Sequence, residues 1–146
     1  MIVSEGSRLS HVAHGVITPD PKQPLAQRLA EVCQGLEAVI AAQRPDEAAV
    51  EETFVNANAR AALALGQARG AAMVAVARCG LLAGEYAPAT IKKAVVGSGQ
   101  ADKTQIAFMI KRLLPASGDA SADAADALAV AICHAAHGGF RKRAGG

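Results

Sequence analysis

The sequence predicts an α/β domain in which the helices outweigh the sheet. Three observations carry that expectation. Apolar residues make up 51% of the chain and charged ones 19%, a balance that excludes a disordered polymer. Aromatics amount to only 3%, so Ala, Leu, Val and Ile must fill the core, which suits closely packed helices around a modest sheet. Apolar steps of three and four alternate with short apolar runs, in the order strand, helix, strand, helix, strand, then helices.

Arg8 to Ile17 alternates imperfectly and is predicted as a strand, ended by turn residues from Thr18 to Pro24. Leu25, Leu29, Val32, Leu36, Val39 and Ile40 form one helical stripe, which Pro45 terminates. Ala48-Ala49-Val50 reads as a short internal strand leading directly into Glu51-Glu52. Asn58 is placed to cap an Ala-rich helix that runs to Cys79 and closes at Gly80. Inside it, Gly66 and Gly70 each cost about 1 kcal/mol of helix propensity, yet they offer a flat face to another backbone. Leu81 to Tyr86 reads as a further strand, and Pro88 opens a short helix ending near Gly97. Asp102 to Leu114 is helical, Pro115 to Asp119 is a loop, and Ser121 caps a last helix through Ala136. A basic tail follows from about residue 138, and the whole of 1–146 is expected to be one domain.

A formal charge of +2 is too small to announce a nucleic-acid binder. Cations do gather at Lys92-Lys93, Lys103, Lys111-Arg112 and Arg141-Lys142-Arg143, where solvated faces account for them equally well. Cys33, Cys79 and Cys133 are odd in number and lack any Cys-x-x-Cys spacing, against a disulfide framework or a structural zinc site. The first residues carry no secretory pattern, and AAMVAVA and ALAVAIC are too short to cross a bilayer. A location in the cytoplasm, with no membrane partner, is expected.

The segment SADAADALAVAICHA carries the chemistry. Asp123 and Asp126, three apart on a helix, project from one side. Both fall in the first turns, where the helix dipole favours negative charge, and a helix start by itself accounts for acids there. Their neighbours from Ala124 to Ile132 leave almost no polar face, so Asp126 is expected in apolar surroundings. A buried carboxylate needs a proton, a cation or good donors, and a divalent ion such as Mg²⁺ takes carboxylate oxygens. Glu51, at the C-terminal end of the Ala48–Val50 strand, is a candidate third ligand at the edge where α/β sites lie. Alternation sends Glu51 and Glu52 to opposite faces, so one alone can join, and either also suits a solvated strand end. Carboxylates gathered from a strand end and a helix can hold metal for phosphoryl chemistry.

The stretches RPDEAAVEETF, NARAALALGQARG, TIKKAVVGSGQADKTQI and DAADALAVAICH closely resemble the RuvC-type Holliday junction resolvases, over about Arg8 to His134. The resemblance implies a ribonuclease-H-like fold, a mixed central sheet flanked by helices. It implies a homodimeric endonuclease that uses Mg²⁺, or Mn²⁺, to cut four-way junction DNA symmetrically during recombination and repair. Glu51 resembles the family's strand-borne catalytic Glu, and Asp123 and Asp126 its two C-terminal catalytic Asp, all three as metal ligands. Lys92 and Lys103 match basic residues near the scissile phosphate, and Phe54 an aromatic that packs against bases at the junction centre. His134 falls where the family carries a helix His, either a satisfied core histidine or support behind the metal site. Asn58, Gly66, Gln67, Arg69 and Gly70 match the dimer-side helix, with a structural role. Association with a branch-migration helicase is a further family implication.

The departure is at the start. Family members open with a strand carrying a catalytic Asp followed by Pro-Gly, and no Asp-Pro-Gly occurs in this chain. The expectation is three carboxylates in place of four, and a sheet missing its first strand, about twenty residues at ordinary strand lengths. Glu5, the one earlier acid, is expected in a loop and no substitute. A junction-binding protein impaired in cleavage is the alternative function that follows.

Overall fold

The computed structural model describes residues 1–52 and 58–144, with 139–144 as backbone alone. Its contacts divide the chain into two compact units, one of Ile17–Glu85 and one of Met1–Val16 with Tyr86–Gly146. Among the described residues the strands form two two-stranded sheets.

The second of these units begins with a hairpin. Strands β1 (Ile2–Glu5) and β2 (Arg8–His11) pair antiparallel, with Ile2 opposite His11 and Glu5 opposite Arg8. Gly6 opens the two-residue turn at φ 62, a conformation that costs a residue without Cβ nothing. Two expectations are corrected here. Glu5 ends a strand and does not lie in a loop, because the hairpin pairs its backbone. The strand expected to reach Ile17 stops at His11, where the N–H groups of Val12 and Ala13 both turn onto the Met1 carbonyl.

Three helices complete this unit: α3 (Pro88–Val96), α4 (Lys103–Leu113) and α5 (Ala122–Ala144). Pro88 starts α3 where a missing N–H costs nothing, and Gly97 ends it in the left-handed region. A capping box starts α4: the Asp102 carboxylate accepts from the Gln105 N–H at 2.8 Å, and the Gln105 side chain accepts from the Asp102 N–H at 2.9 Å. The loop expected after α4 contains one 3₁₀ turn, Pro115–Ser117, with the Ser117 hydroxyl bonded to the Leu114 carbonyl. Ile91, Val95, Ile106, Ile110, Leu114, Leu128, Ile132 and Cys133 are buried together as the core. Helix α5 continues to Ala144, past the end expected near Ala136. Gly138 and Gly139 lower helix propensity, but unlike proline they remove no backbone donor.

The other unit is built on α1 (Leu25–Gln43) and α2 (Ala59–Arg78), which pack against each other. Leu29, Val32, Leu36 and Ile40 of the expected stripe are half-buried, whereas Leu25 and Val39 at its margins remain exposed. Glu37 pairs with Arg78 at 2.8 Å along the edge of this contact. Gly35 lies directly under Ile17: a Cβ there would meet the Ile17 Cδ1 at 2.9 Å. Arg44 adopts the left-handed conformation that turns the chain out of α1 before Pro45. Strand β3 (Ala48–Glu51) then lies beside β4 (Ala83–Tyr86), joined at its start by the Ala48 N–H to the Leu82 carbonyl at 3.3 Å.

Candidate active site

Glu51 is the last residue of β3, and its side chain is exposed while that of Glu52 is half-buried. Of the two acids expected to diverge at this strand end, Glu51 thus has the greater access to solvent. Its backbone is held from α2: the Arg69 guanidinium donates Nε–H to the Glu51 carbonyl at 2.9 Å. A second Arg69 nitrogen pairs with the Glu85 carboxylate on β4. Helix α2 itself begins as the sequence predicts, with the Asn58 side chain accepting from the Ala61 N–H at 3.0 Å.

Asp123 and Asp126 occupy the first turns of α5, and both are exposed. Ser121 precedes them as the expected cap, its hydroxyl 3.4 Å from the Ala124 N–H. The apolar surroundings expected for Asp126 are therefore corrected. Ala124 between them is buried at 2% exposure, as are Leu128 to Val130 and Ile132 to Cys133 further on, so one face of the helix is covered while the aspartates lie off it. A helix that is apolar on every side is buried only on the faces its neighbours reach, and in the first turns of α5 they reach Ala124 but not the two carboxylates. The two carboxylates are left as an acidic pair on the open face of the first turns of α5.

His134 stands about 12 Å along the helix axis from Asp126, at ~1.5 Å rise per residue. Its Nδ1 lies 2.8 Å from the Tyr86 hydroxyl, and the two rings meet edge to face. His137, one turn on, also packs on the Tyr86 ring, and its Nδ1 bonds to the Cys133 carbonyl at 2.8 Å. Burial pushes the Cys133 thiol above its ordinary pKa. The histidine thus sits in a satisfied cluster with Tyr86.

Lys92 is half-buried on α3, and Lys103 is exposed as the first residue of α4. Phe54 lies outside the described residues. Among the described residues, no group of three or more His, Cys, Asp or Glu side chains stands close enough to hold a metal ion. Taken residue by residue, the donor type suits a hard divalent cation: Glu51 in one unit, and Asp123 and Asp126 in the other, are exposed carboxylates. Arg69 is expected on the dimer-side helix with a structural role, and nothing in its spacing signals a part at the Glu51 strand end. Phe108, which is no candidate in the sequence, is 64% exposed. Thr104, Lys111 and Arg112, at helical steps from Phe108, are the signal that it belongs to the polar face of α4.

Known proteins are similar to this chain in sequence and in fold. The family model described as crossover junction endodeoxyribonuclease RuvC matches residues 1–134. The RuvC of Caulobacter vibrioides is 60% identical over 135 residues, covering 92% of this chain and 80% of that protein. The RuvC of Paramagnetospirillum magneticum is 56% identical over 137 residues, covering 94% and 82%. Among solved structures, T. thermophilus RuvC in complex with Holliday junction substrate superposes with a TM-score of 0.84 at 29% identity, over 95% of this chain and 86% of that one. The fold is thus the ribonuclease-H-like mixed α/β type, with a partial sheet flanked by helices. Among the described residues, no helix is long and apolar enough to cross a membrane. With a family model spanning most of its length and relatives more than half identical, this chain belongs to the RuvC family of crossover junction endodeoxyribonucleases.

Proposed function

We propose that this protein is a metal-dependent endonuclease that resolves four-way DNA junctions by symmetric phosphodiester hydrolysis in recombination and repair. The observation that carries this reading is the exposed Asp123/Asp126 pair at the head of α5, just before its apolar run Ala127–Cys133 and within the stretch that matches the family. Asp123, Asp126 and Glu51 would hold Mg²⁺, with Mn²⁺ as a substitute. Such an ion supplies positive charge that activates water and stabilises the leaving oxygen. Lys92 and Lys103 place cationic charge beside the phosphate under attack, where fixed charge favours the transition state. Phe54 stacks on a base near the junction centre. His134 braces α5 through the Tyr86 hydroxyl, as support behind the site and not as a ligand.

The protein acts as a homodimer on this reading, working as one nuclease domain in the cytoplasm. The support for a dimer is a stripe on α2, where Leu63, Gly66, Gly70, Val74 and Ala77 are all exposed at helical spacing. The two glycines leave that surface flat enough for a second helix to approach closely. A branch-migration helicase is the proposed partner for delivering junctions.

The test is cleavage of a labelled four-way junction in Mg²⁺. Asp126→Asn is expected to bind the junction and reduce cutting by at least ~100-fold, with no loss of stability because the side chain is exposed. Cutting at the parental rate would remove Asp126 from the site. Junction binding by the parent without nicks in Mg²⁺ or Mn²⁺ would instead favour a binding protein that does not cleave.

A further inference from the structure

We propose that Arg69 is a positioning residue for Glu51, an inference that rests on reading Glu51 as a metal ligand. Strand β3 has four residues and a two-stranded sheet to hold it, an arrangement with little stability of its own. Glu51 is the residue at its end, so the direction of its side chain depends on how firmly that end is held. Arg69 supplies the hold. Its Nε–H binds the Glu51 carbonyl at 2.9 Å, and another nitrogen of the same guanidinium pairs with Glu85 on the adjacent strand.

The guanidinium is planar, so these two donors are fixed relative to each other. Glu85 on β4 orients the group, and the group in turn orients the peptide that follows the Glu51 Cα. Through Arg69, helix α2 thereby ties both strands at one level. The Arg69 side chain is 24% exposed and that of Glu85 45%, so the guanidinium is partly covered while its carboxylate partner is open to water. Lysine at this position could keep the charge opposite Glu85, but its flexible ammonium lacks the rigid fork. Groups behind a metal ligand commonly change metal affinity by 10–100-fold when removed, and the same order is expected here.

Mn²⁺ binding to the full chain, followed by electron paramagnetic resonance, tests this without requiring turnover. Thermal melting and junction affinity in EDTA are measured on the same samples. Arg69→Lys and Arg69→Gln are expected to weaken Mn²⁺ binding on the order of 10-fold, with junction affinity in EDTA unchanged. The exchanged pair, Arg69→Glu with Glu85→Arg, restores the ion pair but offers the Glu51 carbonyl no donor from position 69. It is expected to recover the melting temperature while Mn²⁺ binding stays weak.

Recovery of parental Mn²⁺ binding in the exchanged pair would overturn the proposal and reduce Arg69 to one half of a structural ion pair. Parental binding by Arg69→Lys would overturn it as well. Glu51→Gln separates the two levels. If it binds Mn²⁺ like the parent, or if the parent binds none, the ligand reading of Glu51 fails and this inference fails with it. If Glu51→Gln loses binding while the Arg69 variants keep it, the positioning role alone falls.

Discussion

The three cysteines, alike in the sequence as isolated thiols, differ once folded. Cys133 is fully buried, and burial raises its pKa, so the reactive thiolate is both inaccessible and disfavoured. Cys33 is half-buried on α1 and its thiol is also raised, first by desolvation and then by the neighbouring Glu37 charge. Cys79, also half-buried, closes the end of α2. Alkylation at pH 8, read peptide by peptide in a mass spectrometer, is expected to label the half-buried Cys33 and Cys79 in the folded protein. Cys133 should be labelled only after denaturation. Early modification of Cys133 would mean that the α5 core opens far more readily than its packing implies.

At the scale of elements, the termini were the most legible features. Asn58, Asp102, Ser121, Pro88 and Gly97 each act where the sequence places them, because a cap is satisfied within four residues of its own position. Asp102→Ala removes half of the α4 capping box and is expected to cost about 1 kcal/mol in a urea titration. Leu128 belongs to another class, with 1% exposure in the middle of the core. Leu128→Ala is expected to cost about 2–5 kcal/mol in the same titration, the spread reflecting how far the cavity can collapse. Strand extents were harder to read than helix ends. The ladder of β2 stops at His11 because two successive N–H groups share one carbonyl, an outcome of pairing that no local pattern encodes.

At the scale of the molecule, the unpaired surface of α2 has a measurable consequence. Leu63 is 63% exposed and Val74 is 51% exposed, on the side of the helix away from Ala62 and Val76. Leu63→Glu with Val74→Glu places like charges across any symmetric contact made by this stripe. If the dimer forms through it, light scattering should show a shift from dimer to monomer with the melting profile of the separated chain otherwise preserved. A parental mass for this double variant would move the dimer contact elsewhere.

The sequence by itself determined the α/β class, the positions of the helices and their caps, and the candidate acids Glu51, Asp123 and Asp126. Each of these follows from periodicity and short-range hydrogen bonding, or from motifs whose residues stand close together in the chain. Tertiary structure alone decided that Asp123 and Asp126 face solvent, that His134 is engaged with Tyr86, and that Arg69 grips the end of β3. Composition made α5 look buried all round from its first turn, yet burial depends on which neighbours reach each face: Ala124 is covered while Asp123 and Asp126 are open. Arg69 and Glu51 are 18 residues apart. Their contact exists only because α2 packs beside β3, a long-range closure that leaves no local signal in the chain.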